Sequence, residues 1–168
     1  MIMSSSPSES ARLPVLPLKG GCQCGALRYR VSGAPLTFYL CHCASCQRQS
    51  GSAFGESLMF FCTDLAMDDR PQERWTVGGS GVPIRQTFCG TCGVRLTHQR
   101  KDSPVLVVKP GTLDDPSWLF PAAEIFTASR QPWLSPLPGV AQYPQGPDMD
   151  SLKQDWARWI AGHEEAGR

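Results

Sequence analysis

The chain has 168 residues with 16 lysines and arginines against 15 aspartates and glutamates, which gives a formal net charge of +1 and fits one domain with modest extensions. The basic residues are spread along the chain without a basic run, so the charge pattern argues against nucleic acid as a partner. No apolar stretch approaches the roughly 20 residues that a bilayer span needs. We therefore expect that the chain is not an integral membrane protein and has no membrane partner.

The N-terminal segment is rich in serine and proline, and we expect residues 1–17 to form a disordered extension. Its apolar run Pro14-Val-Leu-Pro-Leu18 is too short for the h-region of a secretory signal. The expected domain therefore begins near residue 18.

Short strand-like runs alternate with turn signals from Gly20 onward. Residues 26–31 alternate with a period of two, which places Leu27, Tyr29 and Val31 on one face. One helical turn is predicted at 44–51, and further strands are predicted at 36–40, 54–62, 73–77, 84–89, 94–98, 105–109 and 124–127. The pattern predicts an all-β, mainly antiparallel fold.

The C-terminal part combines a proline-rich segment with a helix. Residues 131–150 contain five prolines, so we expect no regular structure there. Residues 151–163 predict a helix that Ser151 caps, with its apolar face formed by Leu152, Trp156, Trp159 and Ile160. We expect that face to pack on the domain, and the alternative is a helix that binds a partner.

Seven of the eight cysteines form three closely spaced groups: Cys22-x-Cys24, Cys41-x-Cys43-x-x-Cys46 and Cys89-x-x-Cys92. Thiolates at such spacings suit a shared tetrahedral zinc ion. A disulfide framework is the alternative, but the lack of a secretory signal and a length that can bury a core without covalent links argue against it. We therefore predict that the cysteines bind zinc and that the protein lies in the reducing cytoplasm. The eighth, Cys62, is predicted to be a buried small hydrophobic residue.

Cys89 and Cys92 flank a glycine-containing turn between two predicted strands, which is typical of a structural zinc knuckle. Cys22 and Cys24 also lie in a glycine-rich turn, so we predict that these two pairs share one ion. Four thiolates leave no open coordination position, and the predicted role is stability.

Cys41, Cys43 and Cys46 form a second predicted zinc site with one position open to water or an exogenous thiol. His42 is an alternative fourth ligand, although adjacent residues on an extended chain point to opposite faces. An empty cluster or a second structural site is the other interpretation that the residues allow.

Three segments together resemble a known family: Gly-Gly-Cys-Gln-Cys-Gly-Ala at 20–26, Cys-His-Cys-Ala-Ser-Cys-Gln-Arg-Gln-Ser-Gly at 41–51 and Phe-Cys-Gly-Thr-Cys-Gly-Val-Arg-Leu-Thr at 88–97. They are similar to the glutathione-dependent formaldehyde-activating enzymes, whose domain is shared with centromere protein V. The resemblance also includes residues 111–116 and 125–133, and it covers about residues 18–135.

The resemblance implies a β-tent fold with zinc knuckles over residues 18–135. The expected proline-rich linker and C-terminal helix at 136–168 lie outside the part that the resemblance covers. It implies a structural zinc on Cys22, Cys24, Cys89 and Cys92, and a catalytic zinc on Cys41, Cys43 and Cys46. The implied activity is that of a carbon–sulfur lyase that joins formaldehyde and glutathione to S-hydroxymethylglutathione.

A non-catalytic zinc module that binds a protein partner or a small thiol is the alternative function. The sequence shows no Ser/His/Asp triad or pair of catalytic carboxylates that would exclude it. Four arginines flank the metal segments and could pair with the carboxylates of a glutathione-like ligand, or could simply be surface charge: Arg48, Arg85, Arg95 and Arg100. Trp118 and Trp133 are expected in the core.

Overall fold

The computed structural model describes residues 14–78 and 81–166, with side chains described up to residue 162. Most of the predicted N-terminal extension, residues 1–13, lies outside these ranges. The described strands, in chain order, are β1 (Leu18–Gly21), β2 (Arg28–Val31), β3 (Thr37–Cys41), β4 (Gly55–Phe61), β5 (Leu65–Met67), β6 (Gln72–Val77), β7 (Pro83–Phe88), β8 (Arg95–Arg100), β9 (Val105–Val108), β10 (Ala123–Ile125) and β11 (Ala141–Tyr143). The described α-helices are α1 (Ala44–Ser50) and α2 (Met149–Ala166).

The strands form two sheets. The smaller sheet has the order β1-β2-β5 and is antiparallel, and the larger has the order β11-β10-β3-β4-β9-β8-β7-β6. Within the larger sheet β10 pairs in parallel with both β3 and β11, while the other pairs are antiparallel. The predicted mainly antiparallel β fold is confirmed, as is the helical turn after the second group of cysteines.

The core lies where the small sheet faces the large one. The alternation in β2 has the predicted effect, because Tyr29 and Val31 are buried while Arg30 is exposed. They pack in one cluster with side chains from the large sheet, including Phe38, Leu58, Phe60, Leu96 and Val108. Fully burying one such side chain contributes about 1.5–3 kcal/mol, so this layer is the main source of hydrophobic stabilisation.

Helix α2 begins before the predicted position. The side chain of Asp148 accepts hydrogen bonds from the backbone N–H of Ser151 at 2.8 Å and from its hydroxyl at 3.1 Å. Asp148 is therefore the capping residue, and the expectation that Ser151 caps the helix is wrong. A carboxylate at this position also interacts favourably with the helix dipole.

The apolar face of α2 packs on the domain, as predicted. Leu152 and Trp156 are buried, and the Trp156 ring stacks on Trp159 with centroids 4.9 Å apart. Trp156 belongs to the same core cluster as the sheet residues, and Trp159 and Ile160 pack against that cluster. The helix is thus part of the described fold.

The proline-rich segment contains one short strand that contradicts the expectation of no regular structure. β11 pairs in parallel with β10, and the Ala141 N–H donates to the carbonyl of Ala122 at 3.2 Å. Pro138 and Pro144 flank the strand, so the residues between them keep the N–H groups that pairing needs.

Replacing Trp156 with alanine should lower the free energy of unfolding by about 3–5 kcal/mol, because the substitution leaves a cavity between α2 and the core. The control is Trp75→Ala, since Trp75 is 54% exposed on β6. Urea unfolding of both variants checks the prediction, and equal stabilities would show that α2 contributes little to the core.

Candidate metal centres

Four cysteines meet at the junction of the two sheets. Cys22 and Cys24 follow β1 of the small sheet, and Cys89 and Cys92 lie between β7 and β8 of the large one. Their sulfur atoms all lie within 4.8 Å of one another, with Cys22–Cys24 at 3.5 Å and Cys24–Cys89 at 3.8 Å. A tetrahedron with zinc–sulfur bonds of about 2.3 Å has edges of about 3.8 Å, so the donor set fits zinc.

The disulfide alternative does not fit this arrangement. A disulfide joins its sulfurs at about 2.05 Å, well below these separations, and all eight cysteines are unpaired in the structure.

The backbone around this cluster turns each cysteine pair toward the shared point. The N–H of Cys89 donates to Val94 O, and the N–H of Gly93 donates to Cys89 O, both at 2.9 Å. Gly93 has φ of +75°, a conformation that glycine adopts without strain. On the other side, the N–H of Leu27 points at the Cys22 sulfur at 3.3 Å. Such N–H groups favour a thiolate at the sulfur they face.

Three further cysteines meet within one local segment. Cys41 ends β3, Cys43 caps α1, and Cys46 lies in the first turn of that helix. Their sulfurs also lie within 4.8 Å of one another, and the Cys41–Cys43 distance is 3.5 Å. The Cys43 sulfur accepts the N–H of Cys46 at 3.4 Å. Soft thiolate donors at these separations fit zinc, and no fourth His, Cys, Asp or Glu from the described residues joins them.

A glycine lets α1 approach the sheet closely enough to place Cys46. Cys41 pairs with Gly55 across β3 and β4. A Cβ atom on Gly55 would lie 3.1 Å from the Cys46 Cβ and 3.5 Å from its sulfur. Any larger residue at position 55 would therefore displace the cysteine.

His42 is not part of the three-cysteine group. Its ring is 1% exposed and packs edge-on against Phe54. The Nε2 atom lies 3.0 Å from Oε1 of Glu124, a residue that sequence reasoning did not select. Ligation by His42, the alternative fourth ligand, is therefore contradicted, and the opposite-face argument made from the sequence is correct.

Glu124 lies on β10 and is also buried. Its Oε2 accepts the Leu137 N–H at 3.0 Å and the Gln142 side chain at 2.6 Å, and Arg130 lies 3.1 Å away. Burial alone would raise the pKa of Glu124, but the donors from Gln142, Leu137, His42 and Arg130 hold it below its ordinary value. The carboxylate is thus charged inside the fold.

A second polar contact holds the start of α1. The Gln47 side chain donates to His42 O at 2.7 Å and to Ser129 O at 3.0 Å, and it accepts from Gln131 at 3.2 Å. Gln131 in turn accepts from the indole of Trp133, which is 70% exposed. The expectation that Trp133 lies in the core is therefore wrong, whereas Trp118 is buried as expected.

Two cationic side chains lie near Cys46. Burial, together with the charge of Arg95, lowers the pKa of Lys109 to about 8, while the Cys46 and Cys41 sulfurs oppose the change. Burial lowers the pKa of Arg95 to about 10, again opposed by Cys46. Hydrogen bonding by Cys41 is the largest cause that lowers the pKa of the Cys46 thiol to about 6, and Lys109 contributes to it. This environment favours a thiolate at Cys46, whereas hydrogen bonding by Cys46 raises the pKa of Cys41 and burial raises the pKa of Cys43.

An open groove of about 950 Å³ extends from α1 to the β6–β7 hairpin. Arg48 and Gln49 line it from α1, and Arg74, Gln86 and Arg95 line it from the sheet. No carboxylate is among its described lining residues, so the groove is suited to an anionic ligand.

Only two of the four arginines that the sequence placed near the metal segments line the groove. Arg48 and Arg95 line it, whereas Arg85 lies elsewhere and pairs with Glu73 at 3.4 Å and Gln99 at 2.7 Å. Arg100 is not among the lining residues. Arg74 was missed, because nothing in the sequence of β6 indicates which strand faces α1.

Cys62 lies outside both clusters. Its sulfur accepts from the Gln99 side chain at 2.9 Å, and the thiol is half-buried. Burial raises its pKa, which disfavours a reactive thiolate.

One comparison with known proteins, the match to a family model, agrees with the cysteine pattern. The model of the family described as "Glutathione-dependent formaldehyde-activating enzyme" matches residues 17–129. No curated protein matches the chain significantly. Among solved structures, the crystal structure of a Rhodobacter sphaeroides protein is similar at 21% sequence identity and a TM-score of 0.47, covering 75% of this chain and 99% of that one. Neither of the described α-helices has the length and apolar character of a membrane span.

Replacing Gly55 with alanine should destabilise the protein by about 1–3 kcal/mol, because the added methyl group is forced against Cys46. Gly111→Ala is the matched control, since a Cβ there would meet its nearest atom, Glu56 Oε2, at an ordinary contact distance of 3.7 Å. Urea unfolding compares the two, and a Gly55→Ala variant as stable as the control would contradict the close packing of α1 on β4.

Proposed function

The chain belongs to the family of glutathione-dependent formaldehyde-activating enzymes, and from that premise we propose that its three-cysteine cluster holds a zinc ion at which a small thiol adds to formaldehyde. The observation that carries this proposal is the incomplete donor set. Cys41, Cys43 and Cys46 converge without a fourth ligand from the described residues, and a cationic groove lies beside them. Three protein ligands with one open position are typical of catalytic zinc.

Zinc, when bound there, would stabilise the thiolate form of a substrate thiol at neutral pH. The reaction needs no oxidant or reductant. The sulfur forms a bond to the carbonyl carbon, the carbonyl π electrons move to oxygen, and the proton lost from the thiol ends on that oxygen. With glutathione the product is S-hydroxymethylglutathione, and the reverse reaction is that of a carbon–sulfur lyase.

The residues around the cluster supply electrostatic support for an anionic thiol. Three thiolates outweigh the charge of a divalent ion, so the cluster by itself would repel a negatively charged substrate. Lys109 and Arg95 interact with the cluster's sulfurs and offset part of this charge. In the proposal, these two cations reduce the repulsion between the substrate thiolate and the negatively charged cluster.

The groove accounts for the rest of a glutathione-like substrate. Glutathione carries two carboxylates, and guanidinium groups bind carboxylates through paired, charge-assisted hydrogen bonds. Arg48, Arg74 and Arg95 are the candidates for these contacts because all three line the groove. Gln49 also lines the groove, and its side chain contacts the Cys46 sulfur.

The four-cysteine cluster has a different proposed role. Its ion would be structural, since Cys22, Cys24, Cys89 and Cys92 complete a tetrahedral set and connect the two sheets. Eight unpaired cysteines suit a reducing compartment, so we place the protein in the cytoplasm.

Serine substitutions should separate the two clusters. Cys89→Ser should cause loss of cooperatively folded protein, because metal binding there also stabilises the junction of the sheets. Cys43→Ser should leave the fold intact, bind one zinc ion fewer, and abolish the formation of S-hydroxymethylglutathione. Zinc analysis, thermal unfolding and a glutathione–formaldehyde assay measure the three effects.

Two outcomes would contradict the proposal. If Cys43→Ser unfolds as readily as Cys89→Ser, the second cluster is also structural and a non-catalytic zinc module is the better explanation. If Cys43→Ser folds and retains full activity, the reaction does not occur at this cluster.

The groove predicts a specific effect on substrate binding. Arg74→Gln should raise the KM for glutathione about tenfold or more, which corresponds to the loss of one charge-assisted hydrogen bond of about 1.5–3 kcal/mol. Arg85→Gln is the matched control, because Arg85 lies on the neighbouring strand but not in the groove. Equal KM values in the two variants would exclude Arg74 as a substrate contact.

A further inference from the structure

The loop that carries the three cysteines is held from inside the fold by one buried residue. His42 lies between Cys41 and Cys43 in the chain. Its backbone N–H, its backbone carbonyl and its ring Nε2 each have a partner. Its N–H donates to Ile125 O at 3.0 Å, its carbonyl accepts from Gln47 at 2.7 Å, and its Nε2 lies 3.0 Å from Glu124. Since an ionised carboxylate only accepts, Nε2 carries the proton of this pair.

Glu124 is the buried side chain that holds the His42 ring in place. Its side chain is only 3% exposed, and a carboxylate buried this deeply is stable only when donors surround it. Three of its donors come from separate parts of the chain: His42 precedes α1, Leu137 lies in the proline-rich segment, and Gln142 lies on β11. Arg130 adds a compensating charge.

The contacts of His42 and of the neighbouring strand also constrain the two cysteines next to it. Cys41 pairs with Ile125, the residue that follows Glu124 on β10. The backbone on one side of His42 is thus held by the sheet, and the ring is held by the carboxylate. The backbone at Cys41 and at Cys43 is constrained as well, because a peptide bond joins each of them to His42.

We propose that Glu124 is a positioning residue for the three-cysteine cluster, acting through His42 to hold the Cys41 and Cys43 sulfurs 3.5 Å apart, ready for a metal ion. Ligands held in place in advance bind more tightly, because less conformational freedom is lost on binding. The proposal rests on the proposed function in that the cluster takes zinc.

Glu124→Gln is the direct test. Glutamine keeps the shape of the side chain, but its NH₂ group is itself a donor. It must face N–H groups whose hydrogen bonds the carboxylate accepted. We expect the zinc affinity of the three-cysteine cluster to fall about 10–100-fold, the range found when residues that orient metal ligands are changed. The four-cysteine cluster should keep its affinity. Chelator competition on the zinc-loaded protein measures both, and Cys43→Ser identifies which ion is lost first.

Two further variants make the test specific. His42→Phe keeps an aromatic ring against Phe54 but removes the donor to Glu124, so it should reproduce the loss. The Glu124→Gln/His42→Phe double variant should be no worse than the single ones, since both changes break the same contact. Asp155→Asn is the matched control, because Asp155 is a buried carboxylate on α2 whose partners are Tyr143 and Arg158.

Each outcome decides the proposal. Wild-type zinc affinity at both clusters in Glu124→Gln overturns it, and so does an equal loss in Asp155→Asn. If Glu124→Gln does not fold, His42→Phe decides: loss of the ion at the three-cysteine cluster supports the proposal, and its retention overturns it. A wild-type protein that binds one ion per chain overturns the proposed function and this proposal together, and is thereby distinguished from failure of the proposal alone.

Discussion

The arrangement of the two sheets depends on the convergence of Cys22 and Cys24 with Cys89 and Cys92. The first pair follows β1 of the small sheet, and the second lies within the large sheet. The strands of the small sheet are only three or four residues long, and the sheet buries its apolar face against the large one. Its burial against the large sheet brings the four sulfurs together, and a metal ion bound by them would hold the two sheets in contact.

The three-cysteine cluster shows the opposite relation between site and fold. Its sulfurs come from one short segment, so no distant strands depend on it. Its geometry is set instead by what surrounds the segment: the close approach allowed by Gly55, the buried pair of His42 and Glu124, and the contact of Gln47 with the 129–131 turn. The sheet thereby supports a site whose three sulfurs come from one local segment.

Sequence patterns predicted the longer strands well, because runs that contain β-branched and aromatic residues lie between clear turn signals. Three short strands, β1, β5 and β11, were missed, whereas the similarly short β2, β9 and β10 were predicted. β1 contains Gly20 and Gly21, which have no side chains to show alternation, and β11 lies among prolines. The capping of α2 was misplaced because Asp148 and Ser151 are both good capping residues, and the choice between them depends on where the preceding chain leaves the sheet.

The sequence by itself determined which cysteines form the two clusters that could hold a metal ion, since spacing within a turn is a local property of the chain. It also determined that His42 faces away from its neighbours, because side chains alternate along an extended backbone. Only the tertiary structure decided that Glu124, 82 residues away, holds His42, and that Arg74 shares a groove with α1. Those contacts depend on the order in which strands pair, and strand order follows from the packing of the whole core, which no local pattern encodes.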